Sequence, residues 1–392
     1  MIQIKLKNCI ETYSGYAFSS KDFCDDGVQI IKIGNLFNNK LSLERSPTFV
    51  SEGFLLSHHE YIASEGDILI SLTGTLGKKD YGYAVAIDKN CEFLVNQRVL
   101  KISAKHNITQ EYLLFLLQSE YLLNELYPLA NGTKQANISA SDVLNIGVSL
   151  PSIDEQKSIS KLLGVKVSII DTKVKNLTQK LHHLEEYKTA LIHNAVTKGL
   201  DANGCRILDG TPANEIRWGS FKVKDLIVEN EKSNRPASVG ELTGKYQFFK
   251  SSIKQNSFCD FYDYEKMSIV MGDGGVANAS LSEKYFSKSD HCWSFYSNVS
   301  DLHTKFLFHF IVSQLKVIDD LGFKGMGIRN LDKNFVRNLE VFLPDEDEVL
   351  AINNFIEKNI ALIMQLENAI NKKIDLLLEY KKSLINEAVS GQ

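Results

Sequence analysis

The residues with the most chemistry to offer fall in a handful of polar clusters. The glycine-flanked run TGTLGKKD (73–80) places Thr73, Thr75, Lys78 and Lys79 on one exposed loop. Asn96, Gln97 and Arg98 are consecutive, and amide and guanidinium groups are the kinds that bind adenine and guanine edges through two hydrogen bonds at once. NGTKQAN (131–137) offers Lys134 and Gln135, FKGMGIRN (323–330) offers Lys324 and Arg329, and ENEKSNRP (229–236) offers Lys232, Asn234 and Arg235. Each cluster alone is weak, because charged loops are usually just solvated. The clusters at 131–137 and 323–330 occupy equivalent places in an internal repeat, which gives that pair more weight.

Catalytic groups are harder to find. An amino-methyltransferase would carry an Asn-Pro-Pro-Tyr-type tetrapeptide, and this chain has no Pro-Pro pair. Neither a Walker A motif nor a GxGxxG run occurs. GDGG at 272–275 could cradle a phosphate, but such a run is more often a tight turn. Pro344, Asp345 and Glu346 suggest a metal-dependent nuclease. No lysine follows at nuclease spacing, however, and Pro151 in the sister position is followed by serine, which favours a helix start. The pairs His58–His59, His182–His183 and His291–Cys292 have no second ligand cluster nearby. Trp293 and Phe295 alternate along a strand, the pattern of core residues rather than of a base-stacking platform.

The elements that must position these groups come in two copies. LPSIDEQKSISKLL (150–163) recurs as LPDEDEVLAINNFI (343–356), and EEYKTALIHNAV (185–196) as LEYKKSLINEAV (378–389), at the same offset of 193 residues. Over 150–199, fifteen of fifty positions are identical, and upstream Gly132, Asn137, Val143, Asn145 and Val148 match Gly325, Asn330, Val336, Asn338 and Val341. ILISLTG (68–74) and SIVMGDG (268–274) share the shape of a buried strand entering a glycine turn.

Each copy closes on a helix. Apolar residues recur at Ile170, Val174, Leu177, Leu181, Leu184, Leu191 and Ala195, spaced alternately four and three, with Lys188 interrupting. The second copy repeats the seam at Ile363, Ile370, Ile374, Leu377, Leu384 and Ala388, interrupted by Glu367 and Lys381. This is the narrow stripe of a coiled coil, which needs a matching stripe, and the other copy is the obvious partner. Residues 151–200 carry eight lysines and five acids, a net of +3, whereas 344–392 carry five lysines and nine acids, a net of −4. Opposite charges favour that pairing over either helix with its own kind.

The expected division is a globular domain at 1–149, a helix at 150–200, a second globular domain at 201–342 and a closing helix at 343–392. Both globular parts mix strands (28–33, 68–72, 83–87, 98–102, 246–250, 268–271, 293–297) with helices at 108–126 and 305–321, an α+β class. Composition sets outer limits. With 44% hydrophobic and 23% charged residues, 6 prolines and 24 glycines, the chain reads as globular, not as linker or disordered sequence. No apolar run is long enough to span a bilayer, and MIQIKLKNCIETYSGYAF lacks an uninterrupted apolar stretch and a cleavage site. Six scattered cysteines with no CxxC suit a reducing cytoplasm. A net charge of −4 argues against nucleic-acid binding by bulk positive charge. Three classes stay open on these grounds: a sequence-reading subunit with partners, a methyltransferase or nuclease acting alone, and a coiled-coil structural protein.

Two variable domains of about 150 residues, each followed by a helix opening LP-x-x-x-EQ and closing EYKxxLIxxAV, resemble the specificity subunit of type I restriction–modification systems. VQIIKIGNL and GDILISLTG are also similar to that family's target recognition domains. A departure is Val349 where the first copy has Gln156. The resemblance implies a non-catalytic subunit in which each recognition domain reads one half of a bipartite double-stranded DNA site, while the paired antiparallel helices act as a spacer. Two methyltransferase subunits would bring S-adenosylmethionine, and motor-nuclease subunits would bring ATP and magnesium. No cofactor or metal is expected on this chain itself, and no membrane.

Overall fold

The computed structural model describes residues 2–88, 91–201, 218–325, 327 and 329–391. The start of the second expected domain (202–217), and Met326 and Ile328 of the 323–330 cluster, lie outside the described residues. Two long helices are present, a central one at Ile153–Lys198 and a C-terminal one at Glu346–Ser390. Contacts divide the chain into two compact units, Met1–Asn176 with Lys372–Gln392, and Leu177–Asn371. Both divisions fall inside a long helix, not at the helix starts where the sequence pattern changes. Among the described residues no helix is long and apolar enough to cross a membrane.

In the first unit an antiparallel sheet runs in the order Ala84–Ala86, Ile68–Ser71, Val99–Ala104, Ile10–Ser14. Ile68–Ser71 lies between two neighbours and is buried at all four positions, which is why it reads as an unbroken apolar run. A second sheet of five strands includes the parallel pair Val28–Ile31 and Phe93–Val95. Ile2–Lys5 pairs antiparallel with Gly147–Leu150 and ties the beginning of the unit to the entrance of the central helix. The helix expected at 108–126 is two helices, Gln110–Gln118 and Glu120–Leu126. Ser119 separates them in an extended conformation. Its hydroxyl donates to the Leu116 carbonyl (2.6 Å) and accepts from the Leu122 amide (3.3 Å), ending one helix and capping the next. Apolar periodicity runs through such a break because a cap does not alter which face is apolar.

The second unit repeats the scaffold. Its antiparallel sheet runs Ala279–Leu281, Ile269–Gly272, Cys292–Ser297, Ile227–Glu229, the same order with the equivalent pair of inner strands. Gly219–Lys222 pairs with Glu340–Leu343, which lies 193 residues after Gly147–Leu150. The other sheet differs, with three strands in place of five, although it keeps one parallel pair, Tyr246–Phe249 with Ser287–Lys288. The helix expected at 305–321 is Asp301–Ser313, then a short turn and a π-helical turn at Ile318–Gly322. Gly322 is needed there, since a Cβ would sit 2.9 Å from the Phe335 ring.

Each unit uses both long helices to close its core. In the first, Leu163 of the central helix and Ile385 and Val389 of the C-terminal helix join the cluster around Tyr112 and Leu116. In the second, Leu191, Ile192, Ala195 and Val196 join Val349, Ile352 and Ile356 around Phe306 and Phe310. The repeated LIxxAV signature is therefore a core plug, and each fully buried aliphatic contributes about 1.5–3 kcal/mol. Along the helices Ile170, Val174, Leu191 and Ile363 are buried, while Leu177, Leu181, Leu184, Ile370, Ile374, Leu377 and Leu384 are half-buried. The interrupting Lys381 is paired with Asp171 at 2.8 Å within the first unit, where the two helices run antiparallel.

Gln156, the final residue of the helix-opening motif, is fully buried. Its carbonyl oxygen accepts from the Thr109 amide (2.9 Å), and its amide donates to the carbonyls of Asn107 (3.2 Å) and Pro151 (3.0 Å). The side chain thus satisfies a free amide at the entrance of helix Gln110–Gln118. Val349 has no such groups. In that unit Asn353, one turn further on, donates to the Leu302 carbonyl (2.9 Å), in the first turn of the helix that Ser300 caps as Thr109 caps Gln110–Gln118. The departure from the motif therefore leaves a different bond in its place: Asn353 meets a carbonyl instead of an amide, and its Oδ1 has no hydrogen-bond partner among the described residues. Gln156→Ala should destabilise the first unit by about 1–3 kcal/mol, the cost of an unsatisfied buried amide. Hydrogen exchange over 108–118 checks this, and undiminished protection there would show that the bond carries no weight.

Candidate nucleic-acid interface

In the first unit the chain brings three of the expected clusters to one place, and Leu72 is the junction. Its amide donates to the Arg98 carbonyl (3.0 Å), and its carbonyl accepts from the Ile138 amide (2.9 Å). The buried strand Ile68–Ser71 continues into Thr73–Thr75, which pairs antiparallel with Gln135–Asn137. The Leu76 amide extends the ladder to the Lys134 carbonyl at 3.2 Å. Thr73 is not on an exposed loop: it is buried, 7% exposed, and paired opposite Asn137. Thr75, Lys78 and Lys79 are exposed as expected.

Two glycines shape this corner. A Cβ at Gly74 would lie 2.5 Å from the Asp80 carboxylate, which receives the Thr75 amide and so pins the loop. Burial pushes the Asp80 carboxyl up, but the Thr75 hydrogen bonds and the Lys78 ammonium outweigh it and hold the group below its ordinary range. Gly132 adopts φ 132°, and a Cβ there would meet the Gln135 carbonyl at 1.9 Å. Gly325 has φ 130°, and Lys324 faces Asn330 just as Asn131 faces Asn137. The repeat-equivalent loops therefore share one glycine-dependent closure.

Thr73, Thr75, Lys134 and Gln135 line a groove of about 440 Å³ together with Arg45 and Tyr83. The Thr73 hydroxyl is buried there with no hydrogen-bond partner among the described residues. Arg45, which the sequence clusters omit, lies with its guanidinium 4.0 Å over the Phe37 ring. The groove thus combines an unused hydroxyl, an amide, two cations and ring faces with the Asp80 carboxylate, which is occupied by the Thr75 amide, a set able to meet base edges and, at the cations, a phosphate.

Asn96, Gln97 and Arg98 form the turn between Phe93–Val95 and Val99–Ala104. The Asn96 carboxamide oxygen accepts from the Arg98 amide (3.3 Å), so part of its capacity serves the turn, while the Gln97 and Arg98 side chains are exposed. The Gln97 amide donates to the Tyr16 carbonyl, which joins this turn to an aromatic cluster. His58 stacks on Phe54 (4.9 Å, 19°) and meets Tyr16 edge-on (4.5 Å, 64°), with Phe18 and Tyr61 alongside. No local spacing signals a cluster assembled from 16–18 and 54–61, because tertiary folding alone brings these rings together.

The second unit treats its cations differently. Lys232 and Asn234 are exposed. Arg235 is held by Asp263 through two bonds of 2.7 Å, Lys324 by Asp332 at 2.7 Å, and Arg329 by both Asp319 oxygens at 2.8 Å. These donors keep the three carboxyls below their ordinary range. Arg329 also ties down the GDGG turn: its side chain donates to the Gly275 carbonyl (3.3 Å), and its carbonyl accepts from the Gly275 amide (3.1 Å). Through the Arg235 carbonyl and the Asp290 amide, the 232–235 segment joins the same corner. Trp293 and Phe295 are buried, with the Trp293 indole donating to Glu229 at 2.9 Å. Among the described residues no group of three or more His, Cys, Asp or Glu is placed to hold a metal.

Residues 3–185 and 215–376 each match the family described as type I restriction modification DNA specificity domain. The MjaVIII type I restriction enzyme specificity subunit of Methanocaldococcus jannaschii is 32% identical over 179 residues, which is 45% of this chain and 41% of that protein. The EcoAI specificity subunit of Escherichia coli is 25% identical over 151 residues, 38% of this chain and 25% of that protein. The chain thus aligns with less than half the length of these two curated relatives. A solved structure concerned with complex assembly and conformational transition of the type I restriction–modification system shares the fold with a TM-score of 0.69 at 12% identity, covering 100% of this chain and 97% of that one.

Proposed function

This chain belongs to the type I restriction modification DNA specificity family, and from that premise we propose that it is the non-catalytic sequence-reading subunit of a cytoplasmic methyltransferase and endonuclease complex. The observation that carries the proposal is the division between what the two units share and what they do not. They share the strand order of the main sheet, the closing strand pair and the glycine-dependent loop at the 193-residue offset. They differ in the second sheet and in every polar group proposed to face DNA. A common scaffold carrying different reading residues suits a bipartite site with two unlike halves.

In this reading Thr73, Thr75, Lys134, Gln135, Gln97 and Arg98 of the first unit meet one half-site, with Lys78 and Lys79 on phosphates. Lys232, Asn234 and the carboxylate-oriented Arg235, Lys324 and Arg329 meet the other. The seam residues hold the two helices together as a spacer. Two methyltransferase subunits supply S-adenosylmethionine, and motor-nuclease subunits supply ATP and magnesium chemistry. Tyr187 and its repeat equivalent Tyr380 support two copies of one partner, being identical in type yet 57% and 53% exposed, so packing within the chain does not account for them. Neither a methyltransferase or nuclease acting alone nor a purely structural coiled coil explains two family domains on one scaffold with diverged polar groups.

Replacing residues 1–149 with another recognition domain should change one half of the methylated motif and leave the other intact. Sequencing of methylated bases in a strain carrying the hybrid and its partners reads this directly. A change in both halves would show that the domains do not read independently.

A further inference from the structure

A second cavity, of about 640 Å³, lies within the first unit and shares Phe37 and Tyr83 with the groove above and Lys78 and Lys79 with the DNA-facing set, while the rest of its lining belongs to neither. Its walls come from the hairpin turn at Phe37–Lys40, the loop at Lys78 and Lys79, the helix Glu120–Leu126, and the facing stretches of the two long helices. Five lysines line it: Lys40, Lys78, Lys79, Lys381 and Lys382. Asp171 accounts for two of these, at 3.4 Å from Lys40 and 2.8 Å from Lys381. Among the described residues no carboxylate lies within ion-pair distance of the other three, and Glu120 is the one acid in the lining. Like charges gathered round one enclosed space repel each other unless an anion joins them.

The remaining wall is aromatic. Phe37 and Tyr83 meet edge-on at 6.2 Å, and Lys79 lies 5.1 Å over the Tyr127 ring. Lys79 adopts φ 52°, a left-handed conformation that a residue with a side chain seldom holds without a reason. Asn38 and Asn39 do the same, at 50° and 57°, to turn the hairpin that presents Phe37. Burial pushes the Tyr127 hydroxyl up to about 12, so it stays neutral beside the lysines.

The repeat shows that this cavity is peculiar to the first copy. The positions matching Val174, Leu378 and Lys382 are Glu367, Glu185 and Thr189, and the position matching Asp171 is Met364. The second copy thus places acids where the first has cavity-lining aliphatics.

We propose that this cavity is a binding site for one free nucleoside triphosphate per chain, its base against Phe37, Tyr83 and Tyr127 and its phosphates among Lys78, Lys79 and Lys382. The volume suits a single small ligand enclosed on several sides. Lysine ammonium groups are point-charge partners for phosphate oxygens, and an aromatic wall takes the apolar face of a base. The site shares Lys78 and Lys79 with the DNA-reading proposal, but free nucleotide binding is read without DNA and would stand if that proposal failed.

Calorimetric titration of the full chain with ATP, GTP and inorganic tripolyphosphate tests it, in wild type and in Lys79→Glu, Lys382→Glu and Phe37→Ala. Both lysines are exposed, so charge reversal leaves the fold intact, and circular dichroism verifies that. The expected result is one nucleotide per chain, weakened at least about tenfold by either lysine change. Phe37→Ala should weaken the nucleotides while leaving tripolyphosphate unaffected. Absence of saturable binding below about 1 mM overturns the proposal. So does equal affinity for tripolyphosphate and nucleotides, which would mean that no base is recognised. Loss of duplex DNA binding in the lysine variants without any nucleotide binding also overturns it, by assigning the lysines to the DNA backbone.

Discussion

Replacing Ile385 and Val389 together with aspartate should leave the first unit unable to fold, although both residues lie more than 200 positions from most of its strands. Ile385 and Val389 are 4% and 2% exposed and sit in the same core as Tyr112, Leu116 and Ile146. The Tyr112 hydroxyl donates to the Val389 carbonyl (3.3 Å), and the Tyr121 amide donates to the Asn386 side chain (2.8 Å), so this end of the helix is also fixed by polar contacts. Losing each buried aliphatic costs about 2–5 kcal/mol, and an unpaired carboxylate forced into the same space adds several more. Against a typical whole-domain stability of about 5–15 kcal/mol, the pair leaves nothing in reserve. Hydrogen exchange should show protection lost across Ile68–Ser71 and Gln110–Gln118. Both tryptophans, Trp218 and Trp293, lie in the second unit, so their fluorescence reports that unit separately. Leu376→Asp, at a position 56% exposed on the same helix, is the control and should fold normally. Retained protection in the double variant would mean that the last turns of the C-terminal helix are not part of the first core.

The other large effect concerns the spacing between half-sites. Inserting four residues after Asn176 and four after its repeat equivalent Ala369 should lengthen a helical spacer by about 6 Å. The insertion points lie at the contact divisions or within two residues of them, Asn176–Leu177 and Asn371–Lys372, and both side chains are exposed, so neither core is cut. Four residues are a stutter that turns an apolar seam only slightly, which leaves the helix pairing intact. DNA advances about 3.4 Å per base pair, so two readers held apart by such a rod should move apart by about one or two base pairs. The expected outcome is a methylated motif with both halves unchanged and a correspondingly longer spacer, read by sequencing methylated bases. Full modification at the original spacing would show that the helices dock partners without measuring distance.

The apolar seam, the helix-start cluster after Pro151 and the strands around Ile68–Ser71 were legible in the sequence because each follows from neighbours a few residues apart, where periodicity and capping operate. The repeat was legible for a different reason, since two copies must bury the same faces and therefore keep the same residues at the same offset. Tertiary structure alone decided which groups meet. Leu72 joins segments from 73, 98 and 138 through backbone bonds that leave no mark on side-chain pattern. The same holds for the carboxylates: nothing local indicates that Asp263, Asp332 and Asp319 would occupy Arg235, Lys324 and Arg329, while among the described residues Lys79 and Lys134 have no carboxylate within ion-pair distance and Lys78 has only the longer-range influence of Asp80. The role of Gln156 was visible as a motif letter but not as chemistry, until Thr109 arrived opposite it with an amide to satisfy. Secondary structure is set by short-range spacing and could be read directly. The site is set by the burial and pairing of groups distant in the chain, and those depend on the completed cores.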